Sequence, residues 1–332
     1  MIKKMCLFGA VLLTLSAGAC AKGYLGNPKA ETFITRMASE HKFNKTELRR
    51  LFAEAEHKQS IIDAMNRPAE KVKPWRDYRK IFITEKRINE GTRFWRENAE
   101  ALARAEKQYG VDPAIIVAII GVETFYGQNK GSFRVIDALS TLAFDYPKRS
   151  EFFTEQLEHF LLLAREQKQE PLDLIGSYAG AMGYGQFIPS SYRNFAVDYD
   201  KDGFADIWNN TTDAIGSVAN YFAEHGWQKD AKVTSRAKVK QGYSPEMVTE
   251  GLKPDRTVME VSEFGYLPIE YVPASDKVSV IKLDGEKGAE FWFGLHNFYV
   301  ITRYNHSNMY AMAVFQLSEA IRERVGHAQA AK

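Results

Sequence analysis

Glu123 is the residue whose type and position best suit proton transfer. It follows the run AIIVAIIGV at 114–122, which is apolar on every side and therefore predicts a helix buried in a core. Asp112 and Pro113 predict the start of this helix, because an N-cap residue is followed by proline at the first helical position. A carboxyl group that opens into an apolar cleft has a raised pKa and could protonate a glycosidic oxygen near neutral pH. The alternative is a glutamate whose carboxyl reaches solvent or an arginine.

The segment 177–192, SYAGAMGYGQFIPSSY, combines glycines, aromatic rings and hydrogen-bonding side chains. Three glycines within six residues allow a ligand to approach the backbone closely. Ser177 and Gln186 offer hydrogen bonds of the kind that sugars accept, and the interleaved rings offer flat faces. The segment has neither the G-x-G-x-x-G pattern nor the lysine of a nucleotide-binding loop. It predicts a sugar-binding wall or, alternatively, a glycine-rich turn beside ordinary core aromatics.

An acidic segment, DYDKDGFADIWN at 198–209, matches the first half of an EF-hand calcium loop. Asp198, Asp200 and Asp202 occupy positions 1, 3 and 5, and a glycine follows at position 6. Phe204 would contribute only its backbone carbonyl. Position 12 departs from the pattern, because Asn209 stands where the bidentate glutamate is expected. We expect a structural Ca²⁺ that pins the loop, with a solvated acidic turn as the alternative.

The composition bounds the function. The chain has 332 residues, of which 45% are hydrophobic and 13% aromatic, so it can bury a sizeable core. The formal net charge is +2, and it falls to about zero when Lys3 and Lys4 are left out. Such a chain has no broad positive surface for nucleic acid, and we expect no nucleic-acid partner.

The first residues predict export. Residues 1–19 have the two lysines, the short apolar run and the small residues of a secretory signal peptide. The small residues before Cys20 are typical of a lipoprotein signal, which makes Cys20 the predicted lipidated N-terminus, with 20–30 as a tether. Lys22 favours the periplasmic face of the outer membrane. Ordinary cleavage after the same small residues, giving a soluble periplasmic protein, is the alternative.

Three motifs carry a family resemblance. GVETFYG at 121–127, the segment 177–192 and DAIGSVANYF at 213–222 occur in this order and resemble the B-type membrane-bound lytic murein transglycosylases. The resemblance extends over about residues 30–320. It implies a mainly α fold, with a goose-type-lysozyme-like α core, a flanking helical domain and a small β-rich insertion.

The domain limits follow from this resemblance and from residue patterns. Alternation in DKVSVIKL, at 276–283, predicts short strands within a β-rich domain at 231–290. The lysozyme-like core is expected at 101–230, and the chain returns to it at 291–310. The helical domain is expected at 31–100, completed by the C-terminal segment 311–330.

The resemblance also implies roles for individual residues. Glu123 resembles the catalytic acid/base, and Ser177 and Gln186 resemble glycan contacts. The remaining implied residues are a stacking ring, the opposite wall of the groove and the carboxylate that closes the acidic loop. They are Tyr221 for stacking, Tyr304, Asn305 and Tyr310 for the wall, and Asp213 for the loop, with Asn209 and Asp206 as weaker candidates for closure.

The implied reaction acts on peptidoglycan glycan strands and needs no cofactor for its chemistry. Glu123 protonates the oxygen between N-acetylmuramic acid and N-acetylglucosamine and then accepts the proton of the muramyl 6-hydroxyl, which closes a 1,6-anhydro ring. One carboxylate therefore suffices, where most glycosidases use two. Asp137 and Asp145 are candidates for a second acid, although caps or surface charges are the simpler interpretation. Alternative functions are a hydrolytic muramidase, a non-cleaving peptidoglycan-binding lipoprotein and a calcium-regulated adaptor.

Overall fold

The computed structural model describes residues 23–66 and 73–330. Contacts divide the chain into two units, one ending at His57 and one beginning at Lys58. This boundary falls inside the range 31–100 that was predicted as a single helical domain. The predicted signal peptide and Cys20 lie outside the described residues.

The described part of the first unit, residues 23–57, contains two helices, α1 at Pro28–His41 and α2 at Lys45–Glu54. Each begins at an asparagine N-cap, as Asn27 and Asn44 accept hydrogen bonds from backbone N–H groups two residues on, at 2.9 and 2.8 Å. Helix α1 begins within the segment 20–30 that was predicted as a tether.

The second unit is mostly helical in its described part. Its helices are α3 at Gln59–Asn66, α4 at Trp75–Phe82, α5 at Glu85–Glu97, α6 at Ala99–Tyr109, α7 at Pro113–Thr124, α8 at Val135–Asp145, α9 at Ser150–Glu166, α10 at Pro189–Phe195, α11 at Thr211–Glu224, α12 at Val258–Glu263, α13 at His296–Tyr304 and α14 at Asn308–Ala330. Helix α7 is the predicted apolar helix, begins after the Asp112 cap and is buried on almost every side. It packs against α5, α6, α11 and α14, which places it at the centre of the helical core.

The strands form two antiparallel sheets. Two short strands, β1 at Phe133–Arg134 and β2 at Ile175–Gly176, pair with each other. The second sheet contains β3 at Thr234–Val239, β4 at Arg256–Thr257, β5 at Tyr266–Pro268, β6 at Lys277–Gly285 and β7 at Gly288–Gly294. Its order is β4-β6-β7-β3-β5, and a two-residue turn of Glu286 and Lys287 joins β6 to β7.

The strands of this sheet are distributed across the predicted β-rich range, and β7 extends a few residues past its predicted end at 290. Side chains from β5, β6, β7 and α12 form a separate apolar core that includes Tyr266, Val278 and Phe293. The chain is therefore mainly α with a small β-rich part, as predicted. Within 23–66 and 73–330, every helix is too short or too polar to cross a membrane.

The ring of Tyr126 packs directly on Gly121 in α7, so this glycine has no room for a side chain. A Cβ atom at Gly121 would lie 2.5–2.8 Å from three atoms of the phenol group. The ring is fixed, because its hydroxyl donates a hydrogen bond to the carbonyl of Arg87 at 2.9 Å. Alanine usually stabilises a helix relative to glycine, but here the contact opposes it.

We expect Gly121→Ala to lower the free energy of unfolding by about 1–3 kcal/mol, as overpacking does in a full core. Gly326→Ala in the exposed part of α14 is the matched control, because its Cβ would meet no atom within 4 Å. The control should raise the free energy of unfolding by up to about 1 kcal/mol. Urea denaturation of both variants measures the difference, and equal effects would contradict the packing argument.

Candidate active site

Glu123 occupies the last turn of α7, where the backbone turns sharply. The helix ends at Thr124, and the three residues that follow it, Phe125, Tyr126 and Gly127, have positive φ angles of 52°, 59° and 87°. Non-glycine residues adopt this left-handed region at a cost, so the surroundings must hold them there. The hydroxyl of Thr124 does so, since it accepts from the N–H of Gly127 at 3.0 Å and donates to the carbonyl of Tyr184 at 2.9 Å.

The carboxyl group of Glu123 has a single hydrogen-bond partner in the described structure, the hydroxyl of Tyr310. Tyr310 lies in the first turn of α14, is 3% exposed and donates to Oε1 at 2.5 Å. Within the described ranges Glu123 forms no ion pair, which excludes the arginine-bound alternative for those residues. Glu123 as a whole residue is partly exposed, but its carboxyl group is desolvated, and desolvation destabilises the charged form.

Desolvation raises the pKa of Glu123 to about 7, against an ordinary value of 4.5, and the hydrogen bond from Tyr310 offsets part of this rise. The charge of the Glu123 carboxylate also affects the pKa values of two further tyrosines. Burial, and then the Glu123 carboxylate, raise the pKa of Tyr78 on α4 and of Tyr304 at the end of α13. A carboxyl group poised near neutrality and facing phenol groups can both donate and accept a proton.

The predicted wall residues are only partly brought together. The Tyr304 hydroxyl donates to the carbonyl of Gly185 at 2.5 Å, and its ring meets that of Tyr221 edge-on at 4.8 Å. Tyr221 donates to the carbonyl of Arg303 at 2.7 Å, so both rings are fixed. Asn305 is exposed, and its side chain makes no hydrogen bond to any described residue.

Ser177 and Gln186 both brace the glycine-rich segment. The Ser177 hydroxyl oxygen accepts from the backbone N–H groups of Ala179 and Ala181, at 3.3 and 3.0 Å. The Gln186 amide donates to the carbonyl of Gly183 at 3.0 Å. The serine hydrogen and the glutamine carbonyl find no partner within the described chain, so they are free to meet a ligand.

Asp137 is a buried carboxylate that is paired with basic side chains. It is 1% exposed, and its carboxylate pairs with Arg134 at 2.8 Å and lies 4.0 Å from the ammonium group of Lys58. Neither Asp137 nor Asp145 contributes to the raised pKa of Glu123. The described residues therefore offer one carboxyl group at this centre, without a second acid beside it.

The acidic loop gathers four carboxylates. One oxygen from each of Asp198, Asp200, Asp202 and Asp213 lies within 4.8 Å of the others. Asp213 is buried in α11, and its two oxygens accept from backbone N–H groups across the loop, including that of Tyr199 at 2.7 Å. Converging carboxylate oxygens around a tight turn are the donor set that a calcium ion prefers.

The other candidates for the loop are placed differently. Asp206 accepts from the backbone N–H groups of Trp208 and Asn209, both at 2.9 Å, and lies outside the group of four carboxylates. Asn209 is exposed. The carbonyl of Phe204 accepts from the N–H of Asp206 at 2.8 Å, so only its second lone pair is available to a cation.

The acidic loop is attached directly to the glycine-rich segment. The N–H of Tyr184 donates to the carbonyl of Ile207 at 2.9 Å. The Trp208 indole donates to the carbonyl of Ile175 at 2.9 Å, and Lys130 donates to the carbonyl of Trp208. These contacts join the end of the acidic segment to the same backbone that carries Ser177.

Comparison with known proteins agrees with this geometry. Residues 26–319 match the family described as the transglycosylase SLT domain. This chain belongs to that family. It is 44% identical, over 90% of its own length and 84% of the relative's, to membrane-bound lytic murein transglycosylase B of Escherichia coli K12. The predicted family and enzyme class, a peptidoglycan lytic transglycosylase, are confirmed.

Solved structures of the family are similar throughout. The catenated lytic transglycosylase SltB1 of Pseudomonas aeruginosa is 52% identical with a TM-score of 0.89, over 91% of this chain and 99% of that one. Slt35 of Escherichia coli in complex with calcium is 42% identical with a TM-score of 0.84, over 91% and 95%. SltB3 of Pseudomonas aeruginosa in complex with NAG-anhNAM-pentapeptide is 29% identical with a TM-score of 0.80, over 88% and 78%. The predicted lysozyme-like fold class is confirmed.

Sequence reasoning missed Tyr78 and Thr124. Tyr78 lies 45 residues before Glu123, on a different helix, and nothing in its local pattern distinguishes it from other aromatic residues. Thr124 adjoins Glu123, but only the fold shows that its hydroxyl binds the carbonyl of Tyr184.

The raised pKa of Glu123 makes stability depend on pH. The folded protein binds the Glu123 proton more tightly than the unfolded chain does. The stabilisation that this proton gives to the folded state is therefore complete below pH 4.5 and is lost as the pH rises through about 7. We expect the free energy of unfolding of Glu123→Gln to equal that of the wild type at pH 4.5. At pH 8.5 it should be higher than that of the wild type by up to about 3 kcal/mol. Chemical denaturation at both pH values measures this, and a difference independent of pH would contradict the raised pKa.

Proposed function

We propose that this enzyme cleaves the β-1,4 bond between N-acetylmuramic acid and N-acetylglucosamine through Glu123 alone, with a 1,6-anhydromuramyl product. One observation carries the proposal: a single desolvated carboxyl group with a pKa of about 7, without a second carboxylate beside it among the described residues. A hydrolase of the usual kind would need a second acid to activate water or to attack the sugar.

The reaction balances with one carboxyl group. Glu123 donates its proton to the bridging oxygen, and the N-acetylglucosamine leaves as an alcohol while positive charge develops at the muramyl C1. The muramyl 2-acetamido group supports this charge. The 6-hydroxyl oxygen then bonds to C1 and its proton passes to the Glu123 carboxylate, so the acid is restored and no water is consumed.

The surrounding groups have supporting roles in this proposal. Tyr310 orients the carboxyl group through its hydrogen bond to Oε1 and stabilises the carboxylate formed in the first step. Ser177 and Gln186 offer a free donor and a free acceptor to the glycan. Tyr221 and Tyr304 present rings to the sugars, and Asn305 is exposed beside them.

We expect Glu123→Gln to lower the rate of release of soluble fragments from purified sacculi by about 10²- to 10⁴-fold, the usual contribution of a general acid. Glu263→Gln, at an exposed position on α12, is the matched control and should keep full activity. Mass spectrometry of the wild-type products should show the anhydro form. Products heavier by one water would indicate a muramidase, and equal activity of both variants would remove Glu123 from the chemistry.

We propose that the acidic loop binds a structural Ca²⁺ through Asp198, Asp200, Asp202 and Asp213. The convergence of their oxygens within 4.8 Å supports this set, and Slt35 has been solved with calcium. The position of Asp213 supports it over Asp206 or Asn209 as the closing carboxylate. Phe204 would add its carbonyl. The ion would offset the mutual repulsion of four carboxylates and hold the loop in place.

We expect calcium to raise the thermal unfolding temperature of the wild type by several degrees and EDTA to reverse the rise. Asp202→Asn should weaken calcium binding at least about tenfold, measured by titration calorimetry, because one ligand charge is lost. Asp206→Asn is the matched control and should bind normally. Weaker binding in the control alone would identify Asp206 as the closing ligand instead.

The proposed location is the periplasmic face of the outer membrane, through lipid on Cys20. The lipoprotein-like signal sequence supports it, and the Escherichia coli relative is named a membrane-bound enzyme. A soluble periplasmic form is the alternative.

A further inference from the structure

An open cavity of about 550 Å³ lies between α4, the β6–β7 turn and α14. We name it the hairpin cleft and define it by Arg76, Arg79, Trp75, Lys287 and Trp292, with Gln316 at its edge. Its volume is in the range of small-ligand sites in proteins. None of these residues has a role in the proposed chemistry at Glu123.

Every carboxylate that lines the hairpin cleft is already paired with a cation. Glu286 lies 2.9 Å from the ammonium group of Lys80. Glu290 pairs with Arg236 at 2.6 Å, and Glu319 pairs with Arg322. Each of these acids therefore already has a close cationic partner.

Three lining cations are left without a carboxylate partner. Arg76 and Lys287 form no hydrogen bond or ion pair with any described residue, and Arg79 donates only to the neutral amide oxygen of Gln316, at 2.6 Å. Lys80 lowers the pKa of Glu286 most, and Arg79 and Lys287 lower it further, so these cations face the same space. The cleft therefore has a surplus of positive charge.

The walls of the hairpin cleft are aromatic as well as basic. Trp292 lies beneath the guanidinium group of Arg236, at 4.7 Å, and its indole nitrogen donates to Glu290 at 3.3 Å. Trp75 is 2% exposed and forms part of the wall. Apolar rings beside guanidinium groups suit a ligand that has both carbon side chains and carboxylates.

We propose that the hairpin cleft binds the free carboxylate end of the peptide stem that peptidoglycan glycan strands carry. The inference rests on the proposed function, and it adds a second contact for the same substrate. Arg76 and Arg79 stand three residues apart on α4, so both guanidinium groups can meet one carboxylate from the same helix face. The paired acids in the walls disfavour a polyphosphate and suit a peptide with charges of both signs.

Helix α4 contributes residues to both regions. Tyr78, on the same helix as Arg76 and Arg79, has its pKa raised in part by the Glu123 carboxylate. This helix has 8 residues and is about 12 Å long. An extended peptide of five residues spans up to about 17 Å, which is more than the length of the helix.

The test uses the full chain with Glu123→Gln, so that the substrate is bound but not cleaved. Titration calorimetry compares three disaccharides of N-acetylglucosamine and N-acetylmuramic acid: one without peptide, one with a pentapeptide ending in a free carboxylate, and one with the same peptide amidated. We expect the free carboxylate to bind about tenfold more tightly than the amide, equivalent to about 1.4 kcal/mol. Higher salt should reduce this difference.

Arg76→Gln with Arg79→Gln should abolish the difference between carboxylate and amide and leave the peptide-free disaccharide unaffected. Arg96→Gln, an exposed arginine on α5 without a described partner, is the matched control and should behave as the parent does. Lys287→Gln, in the β6–β7 turn, gives an independent variant that should reduce the difference.

Equal binding of the carboxylate and the amide to the parent protein would overturn the proposal, as would a loss of peptide-free binding in the arginine variant. Tighter binding of inorganic polyphosphate, in competition with the peptide, would also overturn it. Failure of all three disaccharides to bind would instead count against the proposed function, so the two failures can be told apart.

Discussion

The burial of one carboxyl group in an apolar helical core is the constraint on which the candidate site depends. Glu123 stands at the end of a helix that is apolar on almost every side, and the core that surrounds α7 keeps water from the carboxyl group. Within the described structure, the phenol of Tyr310 donates the only hydrogen bond that this carboxyl group accepts. Desolvation favours the neutral acid and the phenol favours the carboxylate, so the balance of the two leaves the group near its midpoint at neutral pH.

The left-handed turn after α7 keeps this balance in place. Phe125, Tyr126 and Gly127 have left-handed backbone angles and turn the chain immediately after α7. Tyr126 folds back on Gly121, while Thr124 ties the turn to the glycine-rich segment. A residue strained in this way can be held only where the surrounding contacts determine its position, which is typical of functional sites.

The sequence predicted the features that depend on local pattern. Burial of α7 followed from its apolar run, its start from Asp112 and Pro113, and the acidic loop from three aspartates at alternate positions. Glu123 itself was predicted from its place at the end of that run. The proximity of Asp213 to this loop was predicted only through the family resemblance, because it lies fifteen residues after Asp198 and joins the loop only through the fold.

Contacts made through tertiary packing left no local signal. Tyr78 reaches Glu123 from another helix, and the hairpin cleft joins residues of α4 to a turn more than 200 positions later. The sequence also treated 31–100 as one unit, whereas the contacts divide at His57. Helical periodicity continues across that point, so it carries no mark of a boundary.

The distance along the chain between the acid and its phenol partner has a consequence for biosynthesis. Tyr310 follows Glu123 by 187 residues, so a growing polypeptide contains the carboxyl group long before the phenol that hydrogen-bonds to it. At about 5–20 residues per second, roughly 10–40 s separate the synthesis of the two. A chain that ends before Tyr310 therefore contains Glu123 without the phenol that hydrogen-bonds to its carboxyl group.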